Sequence, residues 1–135
     1  MSGKKITTYL STAAVALVLG AMTVQAAEIK RVRCRVDTAP ARVQISVDVR
    51  DVVLPTIDVT ISKGLATDAI LGVAPDAEGD VEVEWESDAD DLLDINDDPE
   101  GTREAIASDF AAIGDMVTAT ATGVAGSETV TCVQK

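Results

Sequence analysis

The chain alternates apolar and polar residues through four short runs, and this period of two is typical of strands with one buried face. The runs cover residues 32–36, 43–49, 57–61 and 81–85. Pro40, Pro55 and Gly64 separate the first three runs, because proline and glycine interrupt regular structure. The apolar positions predicted to face a core are Val32, Cys34, Val36, Val43, Ile45, Val47, Val49, Ile57, Val59, Ile61, Val81, Val83 and Trp85.

Two stretches of the second half lack this alternation. Residues 87–101 are rich in acids and small polar residues and predict a loop, with a helical turn over 90–94 as one option. Residues 103–112 fit either a short helix or an irregular strand, with Phe110 and Ile113 expected to anchor it in the core.

The rest of the chain predicts further strands. A short strand is expected over 69–73, and a hairpin closes the chain with strands over 116–122 and 128–133, where threonines match strand preference. About seven short strands separated by turn signals predict an all-β fold, a single antiparallel β-sandwich of two sheets.

The first 26 residues have the three parts of a secretory signal peptide. Lys4 and Lys5 form a basic start, an apolar run covers 13–24, and small side chains near Ala26 predict cleavage after that residue. An apolar run of about 12 residues is shorter than the roughly 20 that cross a bilayer as a helix. We therefore expect an exported domain over 27–135, periplasmic or extracellular, with no membrane insertion after cleavage.

The chain has two cysteines, Cys34 near the start of the exported domain and Cys132 near its end. In an oxidising compartment they predict one disulfide between the first and last strands, either on neighbouring strands or across the two sheets. Closing so long a loop stabilises a fold by about 4 to 5 kcal/mol in the chain-entropy model. A catalytic thiol is not expected, because the chain contains no histidine to act as its base.

Charge is abundant and segregated. Loss of Lys4 and Lys5 takes the basic residues from 11 to 9 against 23 acidic ones, so the net charge changes from −12 to −14. Such a charge disfavours nucleic acid as a partner, because a phosphate backbone carries the same sign. The basic residues concentrate in 30–50, whereas an acidic segment over 76–100 contains no lysine or arginine.

Two interpretations of this segregation stay open. The basic first strand either pairs with or lies near the acidic strand of its own molecule, or it contacts the acidic face of a second copy or another protein partner. A head-to-tail contact of the second kind forms filaments when it does not close. The residues predicted to carry such an interaction are Lys30, Arg31, Arg33, Arg35, Glu82, Glu84 and Glu86.

The acidic segment also suggests a calcium site, because calcium takes six to eight oxygen ligands and acidic loops supply them. The candidate ligands are Asp88, Asp90, Asp94, Asn96, Asp98 and Glu100. The spacing from Asp94 to Asp98 matches the start of an EF-hand loop, but Pro99 and Ala105 occupy the positions where that loop needs glycine and glutamate. A calcium-binding secreted protein is therefore the alternative function.

Catalysis is not expected from this composition. Paired carboxylates act on glycosides, but sugar-cleaving clefts also need aromatic side chains, and the exported domain has only Trp85 and Phe110. The absence of histidine removes the commonest general base. We predict a protein that is not an enzyme.

Three stretches of the chain resemble small secreted bacterial proteins with immunoglobulin-like β-sandwiches. They are IKRVRCRV at Ile29–Val36, VEVEWESDADD at Val81–Asp91, and FAAIGDMVTATATG with the later VTCV. The resemblance covers most of the exported domain and implies a fold, but no activity. Together with the charge pattern it leads us to expect a non-catalytic structural or protein-interaction module.

Overall fold

The computed structural model describes residues 26–88 and 102–135. These residues form nine strands and no helix. They therefore contain no helix that is long and apolar enough to cross a membrane. The strands are β1 (Glu28–Thr38), β2 (Ala41–Arg50), β3 (Ile57–Lys63), β4 (Ala66–Val73), β5 (Val81–Glu86), β6 (Thr102–Ala105), β7 (Met116–Ala121), β8 (Glu128–Thr131) and β9 (Val133–Gln134). The predicted signal peptide lies outside the described residues except for Ala26.

The strands form a five-stranded sheet in the order β6-β5-β2-β1-β9 and a four-stranded sheet in the order β4-β3-β7-β8. The apolar faces of both sheets supply one hydrophobic core, as the alternation predicted. Every predicted core position of the four alternating runs is buried except Val32, which is half-buried and packs against the core. Burying each valine or isoleucine contributes about 1.5 to 3 kcal/mol. Trp85 is fully buried, so its predicted place at the centre of the core is confirmed.

The five-stranded sheet is built around the β1–β2 hairpin, which turns at Ala39–Pro40 through a cis peptide bond. Its register places Cys34 opposite Ile45, and Ile45 opposite Trp85 on β5. The alternation therefore stays in phase across three strands, and all three side chains face the core. The short strands β6 and β9 add to the two edges of the sheet in parallel orientation.

The four-stranded sheet contains two hairpins. The β3–β4 hairpin turns at Gly64–Leu65, where the φ of Gly64 is 60°, a backbone conformation that glycine adopts without steric cost. β4 is longer than the strand predicted over 69–73, because pairing with β3 extends it to the turn. The predicted closing hairpin is confirmed by the antiparallel pairing of β7 and β8.

The last segment of the chain changes sheets at Cys132. β8 ends at Thr131 in the four-stranded sheet, and β9 begins at Val133 in the five-stranded sheet, beside β1. Cys132 lies between them and forms the predicted disulfide with Cys34 of β1, with a Cα–Cα distance of 4.6 Å. Cys34 therefore lies on the first strand as predicted, whereas Cys132 lies at the crossing between the two sheets and not on the last strand.

Two details of the sequence prediction are wrong. The described residues contain nine strands rather than about seven, because short edge strands such as β6 and β9 carry too few residues to show an alternation. In the stretch over 103–112, only the part up to Ala105 is a strand, and Ile113 is 45 % exposed. Ile106 and Ala111 are buried instead, and Phe110 is half-buried against the core.

The long edge strand β4 has a neighbour on one side only. Asp68 pairs with the buried Ile61 of β3, so its side chain lies on the core-facing side of the sheet. The Asp68 Oδ1 atom accepts a hydrogen bond of 2.8 Å from the backbone N–H of Ala69. An inward-pointing charge on an edge strand discourages pairing with another chain. Asp68 therefore protects the β4 edge.

Strand β1 presents a second open edge, because β9 pairs only with Arg35 and Val36. The β1–β2 register shifts between Ile29 and Arg31, which leaves Lys30 as the extra residue of a β-bulge. A bulge and a lysine both discourage edge-to-edge pairing. The two long edges are thus protected by different devices, a bulge with basic residues on β1 and an inward acid on β4.

Candidate functional site

The outer side of the five-stranded sheet carries most of the predicted interaction residues. We call it the charged face and define it by Arg31, Arg33, Arg35, Gln44, Ser46, Asp48, Glu82, Glu84 and Arg103. It exists because the polar positions of β1, β2 and β5 alternate with the core positions in the same register. β6 adds Arg103, which is the register partner of Glu84.

The basic strand and the acidic strand do not pair with each other. β2 lies between β1 and β5, so the direct pairing that was one option is wrong and the option of proximity is confirmed. The register forms three rows across these strands. The rows are Arg31–Asp48–Glu82, Arg33–Ser46–Glu84 and Arg35–Gln44–Glu86.

Several charges of this sheet are neutralised inside the molecule. The Arg31 guanidinium donates hydrogen bonds of 3.0 and 2.6 Å to Asp48 Oδ2 from Nε and Nη2. Arg103 Nε lies 3.5 Å from Glu84 Oε1, and both side chains are largely buried. Beside the charged face, two further arginines of the sheet make ion pairs, Arg42 with Asp88 at 2.9 Å and Arg50 with Glu28.

Arg33 and Arg35 differ from these arginines, because neither makes an ion pair with any residue in the described part of the chain. They line a cavity of about 90 Å³ together with Gln44, Ser46 and Glu84. The Nε atom of Arg33 is buried and makes no hydrogen bond with the described residues. A buried donor without an acceptor is costly, so this cavity favours an incoming acceptor group.

Two polar residues that complete the cavity, Gln44 and Ser46, were not among the predicted interaction residues. Gln44 and Ser46 were available as the polar positions of the second alternating run, and they become site residues because β2 lies between the charged strands. No local signal marks Arg103, because its place beside Glu84 depends on the parallel pairing of β6 with β5.

Glu86 and Lys30 lie apart from the other predicted interaction residues. Glu86 was expected on a solvated face, but only 1 % of its surface is exposed, and its Oε1 accepts the backbone N–H of Asp88 at 3.1 Å. It closes the end of β5, where its backbone oxygen also accepts the N–H of Ile106. Lys30 is exposed in the β1 bulge, away from the rows.

The calcium prediction receives no support from the described residues. Asp88 is the one candidate ligand they include, and its carboxylate pairs with Arg42. The other candidates, Asp90, Asp94, Asn96, Asp98 and Glu100, lie outside the described residues. Residues 26–88 and 102–135 contain no group of three or more side chains that could hold a metal ion. The calcium site stays a prediction.

Comparisons with protein-family models, with curated proteins and with solved structures find no match for this chain.

Proposed function

We propose that this protein is an exported, non-catalytic, immunoglobulin-like sandwich that acts as a structural or interaction module and associates with further copies of itself. The observation that carries the proposal is the pair Arg33 and Arg35, which lacks an ionic partner in the described part of a chain whose net charge is −12. The all-β two-sheet fold supports the immunoglobulin-like assignment. The disulfide is compatible with an oxidising compartment outside the cytoplasm.

The two arginines favour an acidic partner. They are two residues apart on one strand, so their backbones are separated by about 7 Å, and both side chains line the same cavity. Bringing a carboxylate to them forms charge-assisted hydrogen bonds. Arginine suits this role because its planar guanidinium matches the geometry of a carboxylate.

A second copy of the chain offers the acidic surface. The turn between β4 and β5 exposes Asp76, Glu78 and Asp80, and we call it the acidic turn. The Asp76 side chain accepts backbone hydrogen bonds of 2.9 and 2.8 Å from Glu78 and Asp80, which fixes the shape of the turn. None of its three carboxylates forms an ion pair within the described residues, so they complement the two arginines.

The acidic half of the proposed interface is therefore the acidic turn and not strand β5, where it was predicted. Glu84 is paired with Arg103 and Glu86 is buried, so of the three predicted β5 acids only Glu82 is exposed. A contact between the charged face of one copy and the acidic turn of the next joins two different surfaces. Such a head-to-tail contact grows into a ring or a filament.

Sedimentation velocity of the mature protein at about 0.01 M and about 1 M salt tests the proposal, because screening lengths differ roughly tenfold between these conditions. We expect oligomers at low salt and a monomer at high salt. Arg33→Gln with Arg35→Gln should give a monomer at both, whereas Arg31→Gln with Arg50→Gln, which removes the same charge from arginines with internal partners, should still associate.

A charge exchange sharpens the test. Arg33→Glu with Arg35→Glu in one protein and Glu78→Lys with Asp80→Lys in another should each be monomeric alone and associate when mixed. A wild-type chain that is monomeric at both salt concentrations would refute self-association.

A further inference from the structure

We propose that the cavity between Arg33 and Arg35 is a binding site for one small oxyanion, such as a sulfate, phosphate or carboxylate group. This goes beyond self-association, because the ligand is a single anionic group that enters the cavity whether it is free in solution or belongs to another molecule.

The hollow arises from the small size of Ser46. On the outer side of β2, Ser46 lies between the longer side chains of Gln44 and Asp48, and directly opposite Arg33 in the register. Neighbouring strands are about 4.8 Å apart. The arginines on β1 and Glu84 on β5 therefore form walls on the two sides of Ser46, because these strands flank β2. Ser46 thus leaves the space that the other side chains surround.

The walls of the hollow favour an anion. Arg33 and Arg35 supply two guanidinium groups, and Gln44 and Ser46 supply neutral hydrogen-bond donors. Glu84 is the one acid in the lining, and Arg103 lies 3.5 Å from its Oε1 and offsets its charge. Arg31 is on the same face but is held by Asp48. The lining therefore keeps an excess of positive charge.

Arg33 supplies the observation that points to a ligand. Its Nε–H is shielded from solvent and makes no hydrogen bond with the described residues. A guanidinium has five N–H donors in one plane, and Nε together with one terminal nitrogen forms the fork that binds an oxyanion by two parallel bonds. An anion in the hollow would accept hydrogen bonds from the two guanidinium groups that line it.

The volume of the hollow limits the ligand. About 90 Å³ is well below the roughly 300 to 1,000 Å³ of pockets for drug-sized molecules. The space fits one oxyanionic group and excludes a sugar ring or a nucleoside. Any larger molecule would bind only through one such group, with the rest of it outside the hollow.

Two-dimensional ¹⁵N NMR of the arginine Nε–H groups, during titration with sodium sulfate, tests the site. The protein used is the mature chain with Glu78→Gln and Asp80→Asn, which removes the acidic turn and keeps the molecule monomeric. We expect the Arg33 Nε–H resonance to shift in a saturable manner. Sodium chloride at the same ionic strength should leave this resonance in place.

Two variants separate a built site from general salt effects. Arg33→Gln should weaken sulfate binding at least about tenfold, the loss of one charge-assisted fork. Ser46→Val fills the hollow without changing any charge and should also weaken it, while Arg31→Gln should leave it unchanged. Isothermal calorimetry gives the affinities, and circular dichroism verifies that each variant is folded.

Further titrations identify the source of the anion. Competition by phosphate or acetate shows a site open to free anions, whereas competition only by a short peptide rich in aspartate and glutamate shows a site for protein carboxylates. Either result supports the proposal. If the Arg33 Nε–H shifts do not saturate with sulfate, or are equally large in Ser46→Val, the ion is an adventitious ion only and the proposed site is overturned. Self-association is measured separately in the wild-type chain, so the two proposals fail independently.

Discussion

The two sheets of this protein expose outer faces of different chemistry. The charged face of the five-stranded sheet carries arginines and acids, whereas the four-stranded sheet exposes a hydroxyl face. We define that face by Thr60, Ser62, Thr67, Thr118, Thr120 and Thr129. One of its rows crosses all four strands, through Thr67, Ser62, Thr118 and Thr129. In this row the Oγ1 atoms of Thr118 and Thr129 lie 2.8 Å apart.

The difference shows that one backbone pattern supports two kinds of surface. Threonine side chains make short-range hydrogen bonds and suit the pleated sheet through their β-branched shape. Charges act over a longer range and are screened by salt. Attraction of a charged partner over distance is therefore expected at the charged face, and the hydroxyl face should serve mainly the stability of its own sheet.

The largest expected loss of stability comes from removing the disulfide, because this bridge ties β1 to the point where the chain crosses between the two sheets. Replacing Cys34 and Cys132 by alanine should lower the free energy of unfolding by about 4 kcal/mol, since the bridge closes a sequence separation of 98 residues. Urea denaturation of both proteins measures the change. Hydrogen exchange should show β8 and β9 opening before β3 and β5, and an unchanged stability would contradict this role.

A smaller effect is expected from Glu84→Gln on the charged face. The carboxylate and its partner Arg103 are largely buried, so removing the negative charge should cost about 1 kcal/mol of stability. The loss should diminish in high salt, because screening weakens the pair in the wild type. Urea denaturation at low and high salt measures both quantities. An equal loss at both salt concentrations would show that the pair does not act through charge.

The counterpart on the hydroxyl face is Thr118→Val, which keeps the β-branched shape and removes the hydroxyl. Loss of the contact with Thr129 should cost about 0.5 kcal/mol, within the range for cross-strand pairs. Salt should not change this value, because neither group is charged. A salt dependence as large as that of Glu84→Gln would remove the distinction between the two faces.

The smallest change in stability is expected for Asp68→Ala at the edge of the hydroxyl-face sheet, no more than about 0.5 kcal/mol. Its effect should appear in association, because the variant loses the inward charge and frees the N–H of Ala69 for pairing. Light scattering over time should show aggregation that is insensitive to high salt. Asp68→Asn is the control, because it removes the charge but keeps an amide oxygen that accepts the hydrogen bond from Ala69. It therefore separates the effect of the charge from that of the hydrogen bond.

Much of the fold could be predicted because the alternation of a strand is a local property. The core positions from Cys34 to Trp85 followed from their spacing alone, and the single possible pairing of two cysteines gave the disulfide. The stretch after Arg103 could not be assigned in this way. Its strand is four residues long and depends on pairing with β5, which no nearby residue specifies.

The candidate site was half predictable. Arg33, Arg35 and Glu84 were recognised as charges on polar strand faces, but the order of the strands decided what each one contacts. Placing β2 between β1 and β5 gave Arg31 an internal partner in Asp48 and set Ser46 opposite Arg33. The same charges would have neutralised one another directly if β1 had paired with β5.

The sequence by itself determined the core positions of the four alternating runs, because these depend on side-chain polarity at a period of two, and it determined the disulfide, because two cysteines allow one pairing. The tertiary structure decided that Cys132 lies at the crossing between sheets and that Arg33 and Arg35 share a hollow without ionic partners among the described residues. Those features depend on strand order and register between segments far apart in the chain, which local patterns do not encode.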